Sequence, residues 1–162
     1  MKALEQLLES FGKRTVKQAR SNLTRLKKRD TNGIYDSLDY SIVKRAEGDW
    51  TIEFSMVEYG EFVDEGVSGT KNKYSTPNQF KKQPPIKAIL PWVKRKGLRL
   101  RDDNGKFKKG TQKTLSFLIA RSIKENGLKP TKFFTKPFEN EFNKLPDEVL
   151  ENFLKDFFIN KV

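Results

Sequence analysis

Two short stretches separated by a glycine-bearing turn alternate apolar and polar residues, and that alternation most constrains what this chain can fold into. Leu38, Tyr40 and Ile42 alternate with Asp39 and Ser41; after Ala46-Glu47-Gly48-Asp49, Trp50, Ile52, Phe54 and Met56 alternate with Thr51, Glu53 and Ser55. Successive strand side chains point to opposite faces, so this pattern predicts an antiparallel hairpin over about residues 37–57 with one apolar face. Two strands alone are marginal in water, so the apolar face needs a cover.

The cover lies upstream. Residues 3–29 read as one amphipathic helix, with Leu4, Leu7, Leu8, Phe11, Thr15, Ala19, Leu23 and Leu26 on one face and Lys13, Lys17, Arg20, Lys27 and Lys28 opposite. Acids sit early and bases late, as the helix dipole prefers. Asp30-Thr31-Asn32-Gly33 is the expected stop, because Asn-Gly readily takes left-handed backbone. Helix one is therefore expected to pack on the hairpin.

Downstream, residues 57–66 read as a short irregular helix or turn, and 67–84 as an extended loop carrying Lys71, Lys73, Lys81 and Lys82. Loops of this length are usually functional or mobile. Pro84-Pro85 opens a helix over about 85–96 through Ile86, Ile89, Leu90 and Val93, with Pro91 straining its middle and Gly97 ending it. A basic, turn-rich stretch spans 94–113. A further helix is expected over about 112–125, with Leu115, Leu118, Ile119 and Ile123 inward. Residues 129–136 read as extended. Pro137 then starts a last helical region, about 137–158, bearing Phe138, Phe142, Leu145, Val149, Leu150, Phe153, Leu154, Phe157 and Phe158, broken near Pro146. Neither a repeat nor a linker is visible, so the expectation is a single α+β domain, 1–162.

Hydrophobic residues make up 35% of the 162 and charged ones 33%, a balance that would suggest disorder but for thirteen Phe, four Tyr and two Trp. The net charge of +12 has two readings: a polyanionic partner, nucleic acid first, or simply a solvated basic surface. No apolar run reaches the roughly 18–20 residues of a membrane span, and the N-terminus, with Glu5 and Glu9, is unlike a signal peptide. The expectation is a soluble chain made in a cytoplasm.

The chain holds no His and no Cys. Ser-His-Asp and Cys-His nucleophile systems and the usual zinc ligands are thereby excluded. Gly66-Val67-Ser68-Gly69-Thr70-Lys71 lacks the spacing of a phosphate-cradling loop. Glu58, Glu61, Asp64 and Glu65 cluster, which keeps open a magnesium-dependent nuclease working through Glu61 and Glu65. Against it, Glu53 on the hairpin is followed by Phe54 and Ser55 rather than by the acid-x-Lys pattern of such sites. The expectation is a non-enzyme without catalytic residues, metal or cofactor.

Charge is segregated along the chain. From Glu47 to Gly69 there are seven acids (Glu47, Asp49, Glu53, Glu58, Glu61, Asp64, Glu65) and no Lys or Arg, while 13–29 and 94–113 are almost purely basic. These patches either pair within one molecule or join copies head to tail, a contact that closes into a ring when the rotation allows. A basic ring lining would hold duplex phosphates without reading sequence. Phe133-Phe134, with Phe138 and Phe142, either stack bases or pack a core; their approach to a helix with apolar spacing favours the core.

Three segments resemble, in order, elements of phage tail-completion or head–tail joining (neck) proteins, the family that includes the lambda minor tail protein Z. Asp30-Thr31-Asn32-Gly33-Ile34-Tyr35-Asp36-Ser37-Leu38 is similar to the family's Thr-Gly-x-Leu-x-x-Ser step, with Ile34 where Leu is usual and Asn32 added. Tyr59-Gly60-Glu61-Phe62-Val63-Asp64-Glu65-Gly66 resembles its Tyr-x-x-x-Val-(Asp/Glu)-x-Gly element. Pro130-Thr131-Lys132-Phe133-Phe134-Thr135-Lys136-Pro137-Phe138 is similar to its (Arg/Lys)-Pro-x-x-Phe-(Leu/Phe)-x-(Arg/Lys)-Pro element before the C-terminal helix. Pro85 to Leu98 and Phe117 to Ile123 are similar to longer members. The resemblance implies a virion structural protein without catalytic activity, a homo-oligomeric ring between portal or adaptor and tail around the DNA channel. On it, the subunit-interface candidates are Tyr59, Phe62, Asp64, Glu65, Phe133 and Phe134. The DNA-channel candidates, from charge, are Lys94, Arg95, Lys96, Arg99, Arg101, Lys106, Lys108 and Lys109, or else the loop lysines, with the helix-one stripe as second choice. The alternative is a sequence-independent nucleic-acid-binding protein.

Overall fold

The computed structural model describes residues 2–44 and 50–149. Its elements run α1 (Lys2–Arg25), α2 (Gly33–Ser37), β1 (Asp39–Lys44), β2 (Trp50–Ser55), α3 (Tyr59–Glu65), α4 (Ile86–Arg95), α5 (Gln112–Asn126) and α6 (Thr135–Phe142). This is the α+β arrangement expected. The chain divides into two compact units, Met1–Asp64 with Thr131–Val162, and Glu65–Pro130 inserted between them in sequence.

In the first unit the expected hairpin forms, with Tyr40 opposite Phe54 and Ile42 opposite Ile52. Its turn, Ala46 to Asp49, falls outside the described residues. Helix α1 covers the sheet, burying Leu7, Phe11, Val16, Ala19 and Leu23, while Leu4 and Leu26 at its ends stay exposed. Gly12 sits where a Cβ would strike the Tyr40 ring, so a residue that weakens a helix here lets the sheet close on it. The helix ends four residues before Arg29, because Lys27 (φ 54), not Asn32-Gly33, takes the left-handed cap conformation and Lys28 N–H returns to the Leu23 carbonyl at 2.9 Å. Asn32 (φ 58) instead starts the extra short helix α2, which buries Ile34.

An aromatic cluster fills the space between α1, β2 and α6. Phe54 meets Phe11 (5.9 Å between centroids), Phe134 (5.3 Å) and Phe138 (5.7 Å) edge to face, the geometry that ring quadrupoles favour. The last helix begins at Thr135 rather than at Pro137, correcting the extended reading of 129–136. Pro137 is instead buried in the first turn, where its missing N–H costs nothing. Helical backbone resumes over 145–149; Leu150, Phe153, Leu154, Phe157 and Phe158 fall outside the described residues.

In the second unit α4 packs on α5 through Ile89, Val93 and Ala120, flanked by Trp92, Leu98, Leu115, Ile119 and Ile123. Leu115, Ile119 and Ile123 face the contact as expected, with the small Ser116 and Ala120 buried at its centre, but Leu118 is left 44% exposed, which corrects its inward assignment. Small side chains at the contact let two backbones approach, and the Ser116 hydroxyl is satisfied by the Gln112 carbonyl at 2.7 Å. Pro91 is accommodated because it lies on the exposed side of α4, where the carbonyl it orphans reaches water. The long loop 67–84 is tied down rather than loose. Val67 pairs with Leu128 through two 2.8 Å bonds, Thr70 and Lys71 N–H groups meet the Lys124 and Glu125 carbonyls, and Ser68 bridges to Gln79.

Candidate functional site

The basic stretch contains a small hairpin that periodicity alone did not disclose. Arg101 pairs with Phe107, and two ladder bonds flank them: Asp102 N–H to the Lys106 carbonyl at 2.8 Å and Lys108 N–H to the Leu100 carbonyl at 2.9 Å. The Asp102 carboxylate closes the turn by accepting the N–H groups of Asn104 (3.0 Å) and Lys106 (2.8 Å). Gly105 (φ 77) supplies the left-handed residue. Alternation across the pairs puts Arg99, Arg101, Phe107 and Lys109 on one face. Phe107 is 64% exposed, with the Arg101 guanidinium 4.5 Å and the Arg99 guanidinium 5.7 Å from its ring centre.

All eight DNA-channel candidates, Lys94, Arg95, Lys96, Arg99, Arg101, Lys106, Lys108 and Lys109, are exposed. Of the loop lysines, Lys71 is spent on Glu125 (2.6 Å) and Lys73 on the Gly69 carbonyl (2.9 Å); Lys81 and Lys82 remain exposed. Glu125, held by Lys71 and then by Arg121, titrates below the usual carboxylate range.

In the helix-one stripe, Arg20 is structural. Its guanidinium donates to the Tyr35 (3.1 Å) and Leu38 (2.8 Å) carbonyls and lies over the Tyr35 ring, clasping α2 and β1 to α1. Lys13 and Lys17 stay exposed beside an open groove of about 450 Å³ that Tyr40 also lines. Burial, then the hydrogen bond to Glu9 (2.7 Å), pushes the Tyr40 phenol up to about 12, so it stays neutral at physiological pH.

The interface candidates separate into two kinds. Tyr59 and Phe62 are exposed on α3, and Glu65 is half-buried at its end. Asp64 and Phe133 are buried within the subunit, and Phe134 is half-buried. Phe133 is wholly buried in the core with Leu23, Ile34 and Leu38, and Phe134 packs against that cluster. The Asp64 carboxylate caps α6, whose own N-cap position holds a phenylalanine that cannot do so: it accepts the N–H of Phe134 (2.7 Å) and of Thr135 (3.3 Å) and a short bond from the Thr135 hydroxyl. Sequence reasoning missed this role because capping residues are sought next to the helix they cap.

On the acidic segment, Glu53, Glu58 and Glu61 are exposed, and among the described residues none of them joins a salt bridge. The described ion pairs lie elsewhere. Arg14 spans Glu141 (2.6 Å) and Glu148 (2.9 Å), and Lys144 meets Glu141 at 2.6 Å. Glu47 and Asp49 fall outside the described residues. Intramolecular pairing of the acidic segment with its basic flanks is therefore not how its described glutamates are used.

Among the described residues no three His, Cys, Asp or Glu side chains gather into a set that could hold a metal ion, and no helix is long and apolar enough to cross a membrane. Compared with protein-family models, curated proteins and solved structures, the chain finds no match, so its own geometry carries the functional argument.

Proposed function

We propose that the chain is a structural component of a bacteriophage neck or tail top, copies of which form a ring joining portal or adaptor to tail around the DNA channel. The observation that supports this most directly is the convergence of the three segments that resemble neck proteins. From 30–38 come Ile34 and Leu38; from 59–66 come Gly60, which packs on Ile34, and Asp64; from 130–137 come Phe133 and the helix start that Asp64 caps. Motifs about seventy residues apart thus form one structural device within the first unit.

Unpaired charge of both signs fits an assembling subunit. Glu53, Glu58 and Glu61 have no described ion-pair partner, and Lys13 and Lys17 flank an open groove. Heterologous contacts between such patches generate rings. The reading assigns no catalytic role. A nuclease working through Glu61 and Glu65 is disfavoured, because Asp64 between them is consumed as a helix cap.

Mass spectrometry of purified virions, with mass photometry of the recombinant chain alone and mixed with its neighbours, tests the proposal. Virion incorporation together with discrete ring oligomers is expected. A protein absent from virions and monomeric in every mixture overturns it. A second reading, a free sequence-independent nucleic-acid-binding protein, draws on the exposed basic hairpin and predicts tight, steeply salt-dependent binding by the isolated chain outside any particle.

A further inference from the structure

We propose that the hairpin Leu100–Lys108 is a phosphate-gripping fingertip that holds duplex DNA by its backbone. Its ligand is the phosphodiester chain and it reads no sequence. The inference rests on the neck reading for the source of the DNA but not for the contact, which the hairpin makes by itself.

Phe107, beside the hydrogen-bonded turn, is left 64% exposed, and what singles it out is what lies over its ring. On the same face the ring carries the guanidiniums of Arg99 and Arg101 at 5.7 and 4.5 Å. A planar guanidinium resting on an aromatic ring is weakly hydrated and held in orientation, with its N–H edge left for an acceptor. Arg101 is fixed further by donating to the Gly105 carbonyl at 2.8 Å. Long, flexible side chains ordinarily lose rotamer freedom when they grip a ligand; these two have lost much of it beforehand.

The surrounding charge is one-sided. Lys106, Lys108 and Lys109 are exposed, and among the described residues neither they nor the two arginines join a salt bridge. Asp102 is occupied by the backbone N–H groups of the turn. Such a surface fits a polyanion, and guanidinium forks match phosphate oxygens bidentately. Duplex is favoured over single strand because the Phe107 ring is already engaged by two cations, and stacking a base on it would displace one. The hairpin's cations are donors that suit the phosphate oxygens of any sequence, and the backbone contact alone is assigned to it.

Binding of a fluorescent 20-base-pair duplex by the full chain, measured by anisotropy across a salt series, tests the proposal. Competitors are single-stranded DNA of equal length and poly-glutamate. In R99Q/R101Q the affinity is expected to fall ~10-fold, and the slope of log affinity against log salt by about 2, the equivalent of two phosphate contacts. F107L, which keeps bulk but loses the π face, is expected to weaken binding about threefold with the slope unchanged, and F107W to bind as the wild type does. K108Q/K109Q gives a separate reading on the adjoining arm and is expected to lower the slope. All these positions are exposed, and an unchanged circular dichroism spectrum verifies each fold. Wild-type affinity and slope in both R99Q/R101Q and K108Q/K109Q overturn the proposal. So does tighter binding of single strand that depends on Phe107, or of poly-glutamate. Mass photometry on the same samples reports the ring independently: rings with no effect of these variants sink the fingertip alone, and fingertip binding without rings or virion incorporation sinks the neck reading alone.

Discussion

The carboxylate of Asp64 accepts the backbone N–H of Phe134 at 2.7 Å, tying the end of α3 to the start of a helix seventy residues further along the chain. Two backbone bonds run beside it, from the N–H of Thr131 to the Val63 carbonyl at 3.2 Å and from the N–H of Lys132 to the Asp64 carbonyl at 2.9 Å. Asp64→Ala strips the cap and leaves buried donors unsatisfied, so a loss of about 3 kcal/mol in urea unfolding is expected. Asp64→Asn keeps one acceptor oxygen and should cost about half as much. Equal stability of Asp64→Ala and wild type would show that the cap contributes nothing.

Glu141 sets the acid limit of the first unit. It is fully buried, and burial alone would raise its pKa. The hydrogen bonds from Lys144, Arg14 and Gln18 outweigh that and hold it below the usual carboxylate range. A depressed folded-state pKa means that the stabilisation is present above the unfolded value, about 4.3, and is lost as pH falls through the folded one. Thermal midpoints followed from neutral pH downward should therefore drop below about pH 4. Glu141→Gln should lose roughly 2 kcal/mol at neutral pH, less than a fully buried pair because Arg14 and Lys144 are partly exposed, and should show a flatter acid limb.

Thr15 on α1 is fully buried, and among the described residues its hydroxyl has no hydrogen-bond partner. Thr15→Val keeps the shape and removes the unsatisfied group. A gain of about 1 kcal/mol is expected, read as a higher urea midpoint at constant slope. A loss of stability would show that the hydroxyl is satisfied after all.

Gly127 ends α5 at φ 73, where an added Cβ would collide with the Val67 carbonyl and the Gly69 backbone. Gly127→Ala should cost at least about 2 kcal/mol, and hydrogen exchange should accelerate first at the amides of Val67, Thr70 and Lys71, which this corner anchors.

Much of the first unit was legible in the sequence because its signals are local. The alternation around Tyr40 and Phe54 gave the hairpin, and the helical spacing of Phe11, Ala19 and Leu23 gave its cover. Where the deciding partner is remote, the reading failed. Thr135 starts α6 because Asp64 caps it from another element, and nothing within residues 129–136 announces that. Leu118 was expected inward by spacing, yet α5 turns the small Ser116 and Ala120 toward α4, since closeness of backbones outweighs apolar content at that contact. The fingertip was missed for a different reason. Asn104-Gly105 is a hairpin turn signal, but the flanking Arg99, Arg101 and Lys109 carry no apolar alternation for a periodicity search to detect.

The insertion of Glu65–Pro130 between two halves of the first unit has a consequence for how the chain is made. During vectorial synthesis α1, the hairpin and α3 leave the ribosome well before Phe134 and Phe138, so Phe11 and Phe54 have each other but not yet these two rings. The inserted unit carries its own closing pair, Val67 with Leu128, and all its residues emerge before the last of the first unit. Once folded, it brings its two ends together and spares Asp64 most of the entropy of closing so long a loop onto Thr135. The later-synthesised Phe134 and Phe138 thus complete the aromatic cluster that Phe11 and Phe54 begin.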